Sequence, residues 1–252
     1  MCFDHDARPP IKPIDGGALD PREIELVAAD GNRFAAFTAR AATPTGTGIV
    51  ILPDVRGLHT YYRELAVRFA EYGVDAIAID YFGRTAGIGD RGPSFEFGPH
   101  VGATRYAGLT ADIAAAAAHL RTLTGDARLF ATGFCMGGRL AFLAPTMGLD
   151  LAGTIGFYGW PTGPARNDTP APTDLAGEIA APVLGIFGGA DEGIPASAVE
   201  AFEAALTAAN VPHRLTTYEG APHSFFDRRA VDFAEASDRA WAETLSFMDV
   251  GR

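Results

Sequence analysis

Short apolar runs alternate with longer amphipathic stretches along most of the chain. Six runs have the length of single strands, at residues 48–52, 74–79, 128–131, 152–157, 183–187 and 214–218. Apolar residues at helical spacing occupy most of the intervals between them. This alternation is typical of parallel strands joined by crossover helices that cover both faces of a sheet.

Two further strand-like segments, residues 23–27 and 33–38, precede this series. They are separated by an Asp-Gly pair, which favours the tight turn of a β-hairpin. Residues 1–20 are rich in proline and glycine and are predicted to form an irregular N-terminal arm. The pattern therefore predicts a single α/β domain over residues 21–252, built on a mostly parallel eight-stranded sheet with helices on both faces.

Two long segments interrupt the alternation of strands and helices. Residues 85–102 are rich in glycine and aromatic side chains, and residues 161–177 contain four prolines. Loops this long in a compact domain are commonly functional, so we expect them to form the walls of a ligand pocket. The candidate lining residues are Phe95, Phe97, Tyr158 and Trp160. The alternative is that these rings only pack the loops against the core.

Charge and composition narrow the classes of partner. The formal net charge is −11 and 48% of the residues are hydrophobic. A strongly acidic surface repels nucleic acids and anionic membranes, so we expect neither as a partner. No apolar run reaches the roughly 18 residues that a membrane-spanning helix requires. The N-terminal residues also lack the basic region and apolar core of a signal peptide.

Cysteine and histidine usage argues against a disulfide framework or a resident metal. Cys2 and Cys135 are the two cysteines, and no Cys/His cluster has the spacing of a zinc site. Asp4, His5 and Asp6 are adjacent on a proline-rich terminus, which is more typical of an irregular tail than of a metal site. We therefore expect a reducing, cytoplasmic location, with no metal and no cofactor.

Residues 132–138 read Thr-Gly-Phe-Cys-Met-Gly-Gly, between a predicted strand and a predicted helix. Glycines at these spacings allow a sharp turn that presents a nucleophile, here Cys135, above the sheet. The helix N-terminus that follows favours the thiolate over the thiol. The alternative is that Cys135 is a buried cysteine that only fills space.

Two later loops supply candidate partners for Cys135. Asp191 follows the apolar strand at 183–187, and His223 follows the strand at 214–218. Taken singly, Asp191 could cap the next helix and His223 could be a solvated turn residue. Together with Cys135 they give the order nucleophile, acid, histidine, which is the order of the α/β-hydrolase fold. We therefore predict a Cys135–His223–Asp191 catalytic triad.

These motifs resemble those of the dienelactone hydrolase family. The family uses a cysteine nucleophile and a histidine motif of the form Gly-x-x-His-Ser-Phe, which matches Gly220 to Phe225. The similarity extends through residues 51–64 and 78–87 and covers most of the chain from about residue 22. The resemblance implies an α/β-hydrolase fold and hydrolysis of a lactone or ester.

The resemblance also implies roles for further residues. The family has a glutamate near the end of the third strand that influences the protonation of the nucleophile, and Asp54 takes the matching position. The backbone N–H groups of Val55 and Met136 would then form the oxyanion hole. Of two family arginines that hold a substrate carboxylate, Arg84 matches one, whereas Asp227 replaces the other. The remaining candidate substrate contacts are Tyr158, Trp160 and Ser224.

The assignments predict a Cys-His-Asp hydrolase that forms a thioester acyl-enzyme with a small-molecule ester or lactone and acts as a monomer or homodimer. Three alternatives stay open at this point. A carboxylesterase of neutral esters would not need Arg84, and an acyl transferase would share the thioester. A catalytically silent ligand-binding protein is the third, because Asp54 departs from the family's glutamate.

Overall fold

A computed structural model describes residues 7–125 and 127–250, which form an eight-stranded sheet. The strands are β1 Ala18–Val27, β2 Arg33–Ala41, β3 Thr47–Leu52, β4 Val74–Ile79, β5 Arg128–Phe134, β6 Gly153–Phe157, β7 Val183–Gly188 and β8 His213–Tyr218. Their order is β1-β2-β4-β3-β5-β6-β7-β8. β2 pairs antiparallel with β1 and β4, and the other neighbouring strands are parallel. The predicted mostly parallel sheet is confirmed.

Helices occupy most of the intervals between strands. They are α1 Thr60–Glu71, α2 Gly83–Ala86, α3 Phe97–Ala103, α4 Tyr106–Thr124, α5 Met136–Leu143, α6 Ala196–Ala208 and α7 Ala234–Phe247, with 3₁₀ turns at Ala144–Met147 and Pro172–Glu178. No helix in the described part of the chain is long and apolar enough to cross a membrane.

Central strand β3 shows why helices cover both faces of the sheet. Its residues are buried throughout, and successive side chains of a strand point to opposite faces. Ile49 and Ile51 pack in one apolar cluster together with Leu65 of α1. Val50 belongs to a second cluster, together with Ile113 of α4. A continuous apolar run therefore indicates a strand that is buried on both sides.

The N-terminal arm is shorter than predicted. Strand β1 begins at Ala18, so the predicted arm over residues 1–20 ends too late. The pairing with β2 shifts register between Leu19 and Arg22, and Asp20 there has a φ of 48°. Pro21 lacks an N–H for the ladder, and such breaks are tolerated on edge strands. Cys2, Asp4, His5 and Asp6 lie outside the described residues.

The loops that carry the candidate site residues follow the carboxyl ends of parallel strands. The segments that carry Val55, Cys135, Asp191 and His223 follow β3, β5, β7 and β8 respectively. Parallel strands end on the same side of a sheet, so these four loops meet beyond the carboxyl ends, where open α/β sheets bind ligands.

Candidate active site

Cys135 lies at the junction of β5 and α5. Its φ is 55°, an uncommon value for a residue with a side chain, and its N–H donates to the Phe157 carbonyl at 3.0 Å. Helix α5 begins at the next residue, Met136. The strained backbone holds the thiol above the first turn of the helix, as expected of a nucleophile elbow.

Close backbone contacts explain the glycines of the elbow. A Cβ added to Gly133 would overlap the Gly137 carbonyl, and a Cβ added to Gly137 would overlap the Leu52 carbonyl. Both obstacles are backbone atoms, which cannot rotate away as a side chain can. The spacing of glycines around Cys135 thus follows from how tightly the elbow packs on β3.

Asp191 and His223 are hydrogen-bonded to each other. The distance from His223 Nδ1 to Asp191 Oδ2 is 2.6 Å, and the second carboxylate oxygen accepts the Gly193 N–H at 2.9 Å. Asp191 is almost fully buried. It does not cap α6, which begins after Pro195. The carboxylate is therefore fixed by two donors and orients the imidazole.

Two aromatic rings flank the imidazole of His223. The ring of Tyr158 lies 4.9 Å from it and the ring of Trp160 lies 5.7 Å from it, measured between centroids. Side-chain exposure of His223 is 24%, so the imidazole is not a solvated turn residue. The Asp191 bond and these two rings together restrict the orientation of the ring.

Cys135 and His223 line one cavity of about 690 Å³. Val55 and Met136, the predicted oxyanion-hole residues, line the same cavity. Part of its wall comes from the two long segments recognised in the sequence, through Phe97 and Val101 of α3 and through residues 164–167 and 169, and Trp160 lies directly before the second segment. The structure thus brings Cys135, His223 and both residues predicted to form the oxyanion hole to one open cavity.

Asp54 lies beside the cavity, fully buried at the end of β3. Its Oδ1 accepts the Arg56 N–H at 2.8 Å, and its own N–H donates to the Tyr62 hydroxyl oxygen at 3.0 Å. Burial raises the pKa of the Tyr81 phenol, and the nearby charges of Asp54, Asp80 and Cys135 raise it further. Asp54 and Cys135 thus both act on the Tyr81 phenol, and the influence of Asp54 on the thiol stays a prediction.

The assignment of Arg84 to substrate binding is corrected by the structure. Its guanidinium donates to Asp112 at 2.8 and 3.1 Å and to Asp30 at 2.5 and 3.0 Å. These hydrogen bonds raise the pKa of Arg84, and Arg84 is not among the residues that line the cavity. The side chain turns away because the buried carboxylate of Asp112 needs a cation. Arg84 therefore ties the β1–β2 turn to α4.

Two other predicted substrate contacts are also buried away from the cavity. The Tyr158 hydroxyl donates to Asp227 Oδ2 at 2.8 Å, so this residue supports the His223 ring from behind. Ser224 has a φ of 61° and is fully buried. Trp160, in contrast, is 39% exposed and lines the cavity.

Three arginines that the sequence did not single out line the cavity: Arg139, Arg166 and Arg228. Among the described lining residues none is a carboxylate. The Nε atom of Arg228 is buried and has no hydrogen-bond partner in the described part of the chain. The cavity of this acidic protein is therefore locally positive and suited to an anion. A signal existed for Arg139, which lies four residues after Cys135 and hence on the same helix face.

Comparisons with known proteins identify relatives that cover most of the chain. A relative from Escherichia coli (strain K12), named "Putative carboxymethylenebutenolidase", is 30% identical over 228 residues, which cover 88% of this chain and 84% of the relative. The carboxymethylenebutenolidase of Rhodococcus opacus is 29% identical over 217 residues, which cover 83% of this chain and 84% of the relative.

The fold and the family are supported by two further matches. The crystal structure of a "Putative Dienelactone Hydrolase" from Klebsiella pneumoniae superposes with a TM-score of 0.79 at 28% identity and covers 92% of this chain and 99% of its own. The model of the dienelactone hydrolase family matches residues 34–250. The chain therefore belongs to the dienelactone hydrolase family and is a carboxylic ester hydrolase.

Proposed function

We propose that the protein hydrolyses an ester or lactone through a Cys135–His223–Asp191 triad and a thioester acyl-enzyme. The observation that carries this proposal is the 2.6 Å bond from His223 to Asp191 on the wall of a cavity that also contains Cys135. A thiol, an oriented imidazole and a buried carboxylate are the parts of a nucleophilic acyl-transfer site.

In the first step the Cys135 thiolate attacks the carbonyl carbon and forms a tetrahedral intermediate. His223 holds the thiol proton on Nε2, because Nδ1 is bonded to Asp191. The backbone N–H groups of Val55 and Met136 are the candidate donors to the oxyanion. Met136 is well placed for this, since N–H groups in the first turn of a helix have no acceptor within the helix.

Collapse of the intermediate breaks the bond to the alkoxide, which leaves with the proton from His223. Cys135 is then a thioester, and a lactone substrate stays attached as a tethered alcohol or enol. His223 next accepts a proton from water, whose oxygen attacks the thioester carbonyl. Expulsion of the thiolate releases the acid and restores the site. Asp191 stays ionised and holds the imidazole tautomer throughout.

The positive cavity supports an anionic, dienelactone-type substrate over a neutral ester. Arg166 and Arg228 line the cavity from two different loops, and neither has a salt bridge to a described carboxylate. An arginine matches the geometry of a carboxylate with paired donors. A substrate carboxylate could therefore be held between these two loops while its carbonyl faces Cys135.

Replacement of Arg228 should weaken the binding of an anionic substrate but not that of a neutral one. In Arg228→Met we expect the KM of an anionic lactone to rise about tenfold or more, since a hydrogen bond to a charged group is worth roughly 1.5–3 kcal/mol. The KM of p-nitrophenyl acetate should change little. Steady-state kinetics on both substrates is the measurement.

The matched control for this prediction is Arg84→Met, which removes a guanidinium from outside the cavity. It should lower stability, because Asp112 is left buried without its cation, but leave the ratio of the two KM values unchanged. Circular dichroism checks that both variants are folded. If Arg84→Met alters the ratio and Arg228→Met does not, the anion site lies at Arg84; if neither alters it, a general carboxylesterase is the better description.

The acyl-enzyme itself is tested by trapping. The protein is mixed with a slowly hydrolysed ester, quenched in acid after milliseconds to seconds, and digested for mass spectrometry. The peptide that contains Cys135 should gain the mass of the acyl group, and hydroxylamine should remove it. Turnover with no such adduct at any time, or with the adduct on another residue, would contradict the proposed mechanism.

A further inference from the structure

The cavity wall formed by residues 160–170, called here the wall loop, has no regular secondary structure. Prolines at positions 161, 164 and 170 remove backbone donors, so the loop cannot join the sheet or form a helix. A loop of this kind needs some other group to fix its backbone.

That group is the side chain of Arg139, on the elbow helix α5. Its guanidinium donates five hydrogen bonds, and each one ends on a backbone carbonyl of the wall loop. The acceptors are Trp160 at 3.3 Å, Thr162 at 3.3 Å, Gly163 at 2.7 Å, Thr169 at 3.1 Å and Pro170 at 3.1 Å. A guanidinium has five N–H donors, so Arg139 uses its full capacity on this one loop.

Arg139 is also unusual in its charge environment. It is only 4% exposed and forms no salt bridge with a carboxylate among the described residues. Burial lowers the pKa of Arg139 to about 10, which still leaves the side chain charged at neutral pH. Its desolvation is offset by the five carbonyl oxygens, and the nearby charge of Asp174 counteracts part of the effect of burial on the pKa of Arg139.

The wall loop in turn carries groups that face the reaction. Trp160 packs on the His223 ring, and Arg166 and Asn167 line the cavity. Near its far end the loop also contacts the end of α3, where Asn167 Nδ2 donates to Thr104 Oγ1 at 2.8 Å. Arg139 lies on α5, four residues after Cys135. Its hydrogen bonds therefore attach the wall loop directly to the helix that follows the proposed nucleophile.

We propose that Arg139 is a positioning residue which, by holding the wall loop against α5, limits the size of the group that can approach Cys135. This inference rests on the proposed role of Cys135 as the nucleophile. Its consequence is that selectivity for substrate shape is determined by a side chain that need not touch the reacting atoms.

The position of the wall loop can be tested without any substrate. Arg166 is an exposed trypsin site within the loop. In native conditions Arg139→Met should be cleaved after Arg166 more rapidly than wild type, about fivefold for each net hydrogen bond lost. Arg139→Lys keeps the charge but loses the planar fork, so its rate should lie between the two.

Arg121→Met is the matched control. The Arg121 guanidinium also donates to two backbone carbonyls, at Leu149 and Asp150, but lies outside the cavity lining. This variant should not speed cleavage after Arg166. Urea unfolding of each variant distinguishes local opening of the loop from a general loss of stability.

Size selectivity can be measured by alkylating Cys135 with a large and a small reagent. The experiment uses a Cys2→Ser background, so that Cys135 is the one reactive thiol. The ratio of the rate with N-phenylmaleimide to the rate with iodoacetamide should rise about fivefold or more in Arg139→Met, with Arg139→Lys intermediate and Arg121→Met unchanged. An unaltered ratio together with an uncleaved loop in folded Arg139→Met would overturn the proposal.

The two proposals fail in different ways. Neither proteolysis nor alkylation requires turnover, so an altered ratio with no hydrolysis of any ester would refute the proposed function and leave the role of Arg139 intact. With active enzyme, the kcat/KM ratio of long-chain to short-chain p-nitrophenyl esters should follow the same order as the alkylation ratio. A fall in activity that is equal for both esters would instead indicate a purely structural role.

Discussion

Cys135→Ala is expected to lower kcat for ester and lactone hydrolysis by about 10⁴-fold or more. The reason is that the sulfur is the proposed attacking atom, and neither the imidazole nor the oxyanion donors can replace it. Alanine fits the site without strain beyond that already present, since Cys135 occupies its φ of 55° as a residue with a Cβ. Progress curves with p-nitrophenyl acetate and a dienelactone, at equal concentrations of wild type and variant, make the measurement.

Cys135→Ser is the informative companion to this variant. It keeps an attacking atom of similar position but one that is a poorer nucleophile without strong activation by the base, so its activity should fall between wild type and Cys135→Ala. Both variants should show the thermal transition of wild type within a few degrees. If Cys135→Ala retained more than a tenth of the wild-type kcat, the nucleophile would have to be another group.

Asp191→Asn should be the second most damaging change, with a fall in kcat of about 10³- to 10⁴-fold. The Gly193 N–H donates to one carboxylate oxygen, so the new amide must keep its carbonyl there and turn its NH₂ toward His223. His223 Nδ1 then becomes an acceptor, and the proton moves to Nε2. An imidazole in that tautomer cannot take the proton of the Cys135 thiol.

The neighbouring Glu192→Gln variant provides the control. Glu192 is exposed, and this substitution removes one negative charge from the same loop, as Asp191→Asn does. Its kcat should lie within about twofold of wild type, as is usual for surface substitutions. Equal loss in the two variants would show that the net charge of the loop matters and the tautomer does not. Steady-state kinetics with p-nitrophenyl acetate at one pH separates these outcomes.

Much of the fold could be read from the sequence because its signals are local. Residues 48–52 contain no polar side chain and residues 74–79 contain only Asp75, and an Asp-Gly turn joins the first two strands. The predicted start of the first strand, at residue 23, was wrong because β1 continues back to Ala18 through a register shift beside Pro21. That shift is determined by pairing with β2. Such a shift leaves no periodic pattern in a single strand.

The candidate triad was accessible to sequence reasoning for the same reason, since glycines and strand ends mark Cys135, Asp191 and His223. The charged residues of the cavity were not. The position of Arg84 in a motif does not show that Asp30 and Asp112 draw its side chain away. Arg228 lies one residue beyond Asp227, which takes the position of the family's arginine, so the motif does not single it out.

Cys135 and His223 follow strands at different positions in the sheet, so the two parts of the site should respond differently to heating or mild denaturant. Cys135 follows β5, which has a neighbouring strand on each side, whereas His223 follows β8, which pairs with β7 alone in the described sheet. Edge elements open at lower free energy than central ones. His223, the proposed base, therefore belongs to a part of the molecule that should unfold earlier, and Cys135 to a part that should stay folded longer. Activity should thus be lost while most of the core is still intact.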